Sequence, residues 1–181
     1  ITLSELAPAL RKQIRYRVSG SENADDIAEG REQALAIVKG KSVEELKQAC
    51  REIVDNRMLQ KSYADTIELA SMHLAAGQQV WLVSATPVQI GQALAETLGF
   101  TGALGTVAEE EDGKFTGRLV GDILHGPGKK HAVAALAALQ QLDLSKCTAY
   151  SDSVNDLPML NMVGSPVAVN PDRALRKHAK A

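Results

Sequence analysis

From about Tyr63 onward, helical patterns alternate with short apolar runs, and this alternation constrains the fold more than any other feature of the chain. Strands buried on both faces read as unbroken apolar runs, and helices between them make the crossovers of a parallel sheet. A helix with Ile67, Ala70 and Leu74 ends at Gly77, and Val80-Trp81-Leu82-Val83 follows as a buried strand. Helix 88–98 stops at Gly99. A helix from about Gly128 to Gln141 leads into the strand Cys147–Tyr150; then come a helix through Val163, the strand Pro166–Val169 and a basic amphipathic helix from Pro171. Asp112-Gly113, with Val107 on one side and Phe115 and Leu119 on the other, predicts a hairpin within 104–120.

The first sixty or so residues read as helices only. Leu10, Ile14 and Val18 keep helical spacing, as do Ile27, Leu35 and Val38. Ser42 followed by Glu45 is a capping-box pattern ahead of an apolar stripe of Val43, Leu46, Cys50, Ile53 and Val54. Gly20–Asn23 and Lys39–Lys41 read as the loops between these helices. The expected division is a helical segment at 1–62 and an α/β core at 63–181. A net charge of −2 leaves no basic field for nucleic acid and no acidic tail. No run of about 18 apolar residues and no secretory leader pattern is present, so no membrane span is expected. Cys50 and Cys147 lie in no CxxC pattern, which suits a reducing compartment, the cytoplasm by default. The chain starts at Ile1 without an initiator Met and is expected to be a piece of a longer protein.

Ligands of open parallel sheets bind at the carboxyl ends of the strands. Three polar features fall there. Ser84 ends a strand, and Thr86-Pro87 then starts a helix, with Thr86 as expected N-cap; a hydroxyl beside a helix N-terminus suits a phosphate. Ser84 alone favours the plainer alternative, a strand-to-helix turn with a capping Thr. Lys129 and Lys130 follow Gly126-Pro127-Gly128 at a helix start, where a cation opposes the helix dipole and calls for an anion; a solvated lysine pair is the alternative. Asp152 follows a strand and Asp156 opens the next helix, a natural seat for a hard cation such as Mg²⁺. Asp156 or Asn155 also fits as an N-cap, but that leaves Asp152 unexplained. His73, His125, His131 and His178 show no metal-ligand spacing.

VWLVSATP, GPGKKHAV and YSDSVNDLPML, in that order, resemble the second, third and fourth motifs of the haloacid dehalogenase superfamily, in its phosphoserine-phosphatase-like branch. The spacings of 45 residues from Ser84 to Lys129 and 23 from Lys129 to Asp152 are similar too. The resemblance implies a Rossmannoid parallel sheet with helices on both faces and an all-helical cap, and an Mg²⁺-dependent phosphatase acting on a small phosphomonoester through an aspartyl-phosphate. It implies that Ser84 and the Ala85 backbone bind the phosphoryl group and that Lys129, with Lys130 as fallback, neutralises it. Asp152 becomes a Mg²⁺ ligand, with Asp156 and Asn155 supporting, and Ser151 and Ser153 stand where relatives often carry glycine. One departure is large. The family opens with an Asp-x-Asp motif after a first strand, and none precedes the helical segment here, so the chain alone is expected to be inactive. The missing strand belongs between those ending at Ser84 and Asp152, which leaves a gap of two strand spacings, about 9.6 Å. A phosphotransferase of the same superfamily, a non-catalytic phosphate-binding or regulatory module, and an unrelated α/β domain whose Ser84, Lys129 and Asp152 do not converge are the alternatives.

Overall fold

The computed structural model describes residues 24–180. The expected helix around Leu10–Val18 and the loop Gly20–Asn23 lie outside them. The described chain divides into two compact units: one takes the residues up to Ala49 together with Ala108–Arg118, the other Cys50–Val107 and Leu119–Ala181.

In the first unit, α1 (Ala24–Val38) is followed by α2 (Val43–Ile53), whose last residues pass into the second unit. Glu45 N–H reaches Ser42 Oγ at 3.4 Å, the capping contact that the Ser42/Glu45 pattern predicts. Strands β3 (Ala108–Glu111) and β4 (Lys114–Leu119) are joined by Asp112 and Gly113, with φ of 49° and 73°. Positive φ at both central residues defines the type I′ turn, whose twist matches that of the strands. The connection between α1 and α2 zips onto this hairpin. Gly40 N–H donates to Phe115 O (2.8 Å), Phe115 N–H to Lys41 O (3.1 Å) and Val43 N–H to Gly113 O (2.9 Å). Phe115 and Val43 are buried at this junction, and burying a Phe side chain contributes about 2–3 kcal/mol.

In the second unit, α2 runs on through a π turn (Val54–Met58) and a 3₁₀ turn (Leu59–Lys61), and the stripe residues Cys50 and Val54 are buried. Helix α3 (Ala64–Ala75) ends as Gly77 predicts. At φ 74°, Gly77 lets Gln78 N–H reach His73 O (3.0 Å) and its own N–H reach Leu74 O (2.9 Å), the paired bonds of a Schellman motif. Strand β1 (Trp81–Pro87) pairs in parallel with β2 (Gly102–Thr106), and α4 (Val88–Leu98) packs on both. Helix α5 (Pro127–Gln140) packs on β1. Strand β5 (Thr148–Ser151) pairs in parallel with β6 (Ser165–Ala168), and the four-residue helix α6 (Leu157–Leu160) packs on both and on α5. The chain closes with α7 (Arg173–His178).

Two expectations at the element level change. The helix predicted through Val163 stops at Leu160, because Gly164 and Ser165 are drawn onto the preceding segment, with Gly164 N–H on Leu144 O and Ser165 N–H on Cys147 O. Thr86 does not cap α4. Pro87 holds the N-cap position at φ −51° and ψ 136°, and Thr86 stays in the strand. The parallel pairing forms two separate ladders, and among the described residues β1 and β5 each pair on one side only. Helices packed on short parallel ladders form the α/β core that the alternation predicts.

Candidate functional site

Two clusters of side chains stand at the carboxyl end of β5, and Ser84 stands near that of β1. All lie in the second unit.

The first is a buried corner. Lys129 is the third residue of α5, behind Gly126 at the N-cap and Pro127 in the first turn. Gly128 cannot carry a side chain, since a Cβ there would lie 2.7 Å from Ile123 O. Lys129 Nζ meets Asp156 Oδ1 at 2.7 Å, with the two side chains only 14% and 10% exposed. Ser151 Oγ donates to Asp156 Oδ2, also at 2.7 Å. Both carboxylate oxygens of Asp156 are therefore engaged. Lys130, its neighbour, is exposed. The acidic loop is ordered by its own hydroxyls: Ser151 Oγ accepts from Ser153 N–H (3.1 Å) and Ser153 Oγ from Asn155 N–H (3.3 Å), which closes the 3₁₀ turn Val154–Asp156. The two serines thus act as turn-formers, and Ser151 directs its hydroxyl to Asp156.

The second cluster is open. Asp152 is exposed, and its carboxylate has no hydrogen bond or ion pair among the described residues. Its backbone is clamped by a residue that motif reading missed. Asp172 N–H donates to Asp152 O (2.7 Å), while the Asp172 carboxylate accepts from Val154 N–H (2.8 Å) and from Leu175 N–H (2.7 Å), capping α7. Desolvation pushes the Asp172 carboxyl upward, but the backbone N–H groups of Leu175, Val154 and Ala174, with the Ser153 hydroxyl, outweigh it and hold the group below the usual carboxylate range. The signal was available: an Asp three residues before an apolar helical position is an N-cap pattern.

Ser84 lies in the irregular stretch of β1 between Val83 and Pro87. Its Oγ accepts from Thr86 N–H (3.2 Å) and from Thr86 Oγ1 (3.1 Å). Ala85 is exposed, and its carbonyl accepts from Thr106 Oγ1 (2.8 Å). The helix carrying Lys129 packs on the strand carrying Ser84 and on the helix that follows Asp156.

The donors suit a hard cation in kind and fall short in number. Asp152 offers a free carboxylate and Asp156 does not, and the described residues contain no cluster of three or more His, Cys, Asp or Glu able to hold a metal. Asn155 is placed by its backbone against Gly126, with its carbonyl oxygen 3.8 Å from where a Cβ on that glycine would stand. For an anion, the arrangement supplies the Lys129 ammonium, fixed by Asp156, and the Ser84 hydroxyl.

Comparison with known proteins agrees with this architecture. The family model for haloacid dehalogenase-like hydrolases matches residues 2–161. Phosphoserine phosphatase SerB1 of Mycobacterium tuberculosis is 52% identical over 179 residues, covering 99% of this chain and 58% of that protein. The inhibition of morphological differentiation protein of Streptomyces azureus is 36% identical over 165 residues, covering 91% of this chain and 59% of its own. The chain thus spans less than two thirds of the length of these relatives. A crystal structure of a Bordetella pertussis protein with unknown function superposes with a TM-score of 0.81 at 28% identity, over 98% of this chain and 79% of that one. On sequence and fold together, the chain belongs to the haloacid dehalogenase superfamily, in its phosphoserine-phosphatase-like branch.

Proposed function

We propose that the whole protein is a Mg²⁺-dependent phosphatase of small phosphomonoesters. The observation that carries this reading is the Lys129 ammonium, sequestered and aimed by Asp156 on a helix packed against the strand of Ser84. Phosphoryl transfer depends on positioning and charge neutralisation, and a lysine fixed in this way supplies both without reorganising. Lys129 and Ser84, with the Ala85 backbone, bind the phosphoryl oxygens in this reading. Asp152 is the chain's Mg²⁺ ligand, with Asn155 and Asp156 in support through the turn they build. Bound there, Mg²⁺ would add positive charge beside the same oxygens. The reaction runs through an aspartyl-phosphate whose attacking carboxylate belongs to the whole protein, since no Asp-x-Asp stands ahead of the helical segment in this chain. The division into a helical cap at 1–62 and a core at 63–181, and a cytoplasmic location, belong to the same reading. Phosphoserine, the substrate in the name of the Mycobacterium tuberculosis relative, is the first ester to assay.

The test is turnover of p-nitrophenyl phosphate and phosphoserine by the whole protein with and without Mg²⁺. The reading expects Mg²⁺-dependent hydrolysis that is lost in Asp152→Asn and Lys129→Met. Metal-independent turnover, or full activity in either variant, overturns it. Added alcohol acceptors distinguish hydrolysis from phosphoryl transfer by the products formed. A second reading, a phosphate-binding module without turnover, predicts phosphate binding in a whole protein that hydrolyses neither ester.

A further inference from the structure

The geometry points to Thr106 as a positioning residue that couples the Ser84 turn to the loop carrying Lys129, an inference that rests on the phosphate-site reading above. Thr106 ends β2. Its Oγ1 donates to Ala85 O at 2.8 Å and accepts from Leu124 N–H at 3.1 Å. Leu124 is buried and lies in the segment that leads into α5 and Lys129. One hydroxyl therefore joins both anion-binding elements, using its proton on one side and a lone pair on the other.

The approach that brings Thr106 into reach is itself built in. A Cβ on Gly105 would lie 2.6 Å from Val88 Cα and 2.9 Å from Thr86 O, so only glycine lets the end of β2 lie this close to the Ser84 turn. The peptide between Ala85 and Thr86 is then held at both ends, its carbonyl by Thr106 and its N–H by Ser84 Oγ. Thr86 Oγ1 lies 3.1 Å from Ser84 Oγ, within hydrogen-bond reach. A serine hydroxyl has two lone pairs and one proton. With the Thr86 N–H on its oxygen, the Ser84 hydroxyl keeps a rotatable proton to offer an acceptor oxygen such as that of a phosphate. Loss of the Thr106 hydroxyl frees the Ala85–Thr86 peptide and the Leu124 amide together.

The experiment titrates the whole protein with inorganic phosphate by calorimetry, in the wild type, Thr106→Val, Thr106→Ser and the control Thr97→Val. The control removes another hydroxyl bonded to a backbone carbonyl, that of Ala93 within α4. We expect Thr106→Val to raise the phosphate Kd about tenfold, Thr106→Ser to stay within about twofold of wild type, and Thr97→Val to lower Tm without changing Kd. An unchanged Kd in Thr106→Val, or no rescue by serine, overturns the inference. Should the wild type bind no phosphate, the phosphate-site reading fails, and amide hydrogen exchange decides the coupling by itself. Thr106→Val should then speed exchange at both Leu124 and Thr86, and acceleration at Leu124 alone refutes the coupling. If Thr106→Val does not fold, Thr106→Ala, which also removes the hydroxyl, takes its place in the same exchange measurement, with the same two outcomes.

Discussion

Asp156 and Asp152 stand four residues apart on one loop and occupy opposite physical situations. Asp156 is 7% exposed, with an ammonium on one oxygen and a hydroxyl on the other, while Asp152 is exposed and its carboxylate touches no partner among the described residues. A buried carboxylate persists only when paired and hydrogen-bonded, and an exposed one costs nothing to leave free. The buried acid is therefore a structural part that aims Lys129, and the exposed acid remains available to a ligand. Residue type alone does not separate these roles; the partners do.

The largest effect is expected where the buried pair is broken. Asp156→Ala leaves the Lys129 ammonium sequestered and Ser151 without its acceptor, and should destabilise the fold by about 3–5 kcal/mol in urea unfolding. Lys129→Met keeps the bulk of the stem but strands the Asp156 carboxylate, so it should cost a similar amount, whereas Lys130→Met at the exposed neighbour should stay within about 0.5 kcal/mol. Equal effects at the two lysines would erase the distinction between the corner and the surface.

Much of this was legible in the chain. The Asp112-Gly113 turn, the Gly77 stop and the boundaries of the helix at 88–98 all follow from local chemistry: φ preferences, apolar spacing and caps. What escaped sequence reading is what depends on distant neighbours. Thr106 meets Ala85 across 21 residues and Leu124 across 18, contacts set by the close approach at Gly105. The helix predicted through Val163 ends early because Gly164 is pulled against Ser145, where a Cβ would lie 1.8 Å from a carbonyl oxygen. The Thr86 cap failed for a related reason, since its N–H and hydroxyl turn back to Ser84 and leave the helix start to Pro87.

Smaller effects sharpen the contrast between satisfied and unsatisfied polar groups. Of the buried polar side chains Gln89, Ser151 and Asp156, the last two bond each other, while Gln89 Oε1 has no partner among the described residues. Ser151→Ala should therefore destabilise by about 1 kcal/mol and Gln89→Leu should stabilise by about the same amount, both read from urea midpoints at constant slope. Asp172→Ala, which removes the cap of α7 and the clamp on Val154, should cost about 1 kcal/mol near neutral pH. The sign of its pH dependence follows from a folded-state pKa below the unfolded one. Its contribution is complete above the unfolded value of about 3.9 and is lost as pH falls through the lower folded value. The stability difference between wild type and Asp172→Asn should accordingly shrink below pH 4 or so; a difference that grows on acidification would refute the assignment.

The smallest effect on stability and the most specific effect on function should coincide at Asp152. Its carboxylate is exposed and unpartnered among the described residues, so Asp152→Asn replaces a group that holds none of them together and should change the unfolding free energy by no more than about 0.5 kcal/mol. The backbone clamp from Asp172 survives, because it uses the Asp152 carbonyl and not the side chain. Mg²⁺-dependent turnover by the whole protein should nevertheless disappear, since amide oxygen is a poor substitute for a charged ligand to a hard cation. A variant as stable as wild type and catalytically silent would separate the two acids of the loop completely. A marked loss of stability would instead place Asp152 with Asp156, as a second structural acid, and remove the free carboxylate from which the metal site is argued.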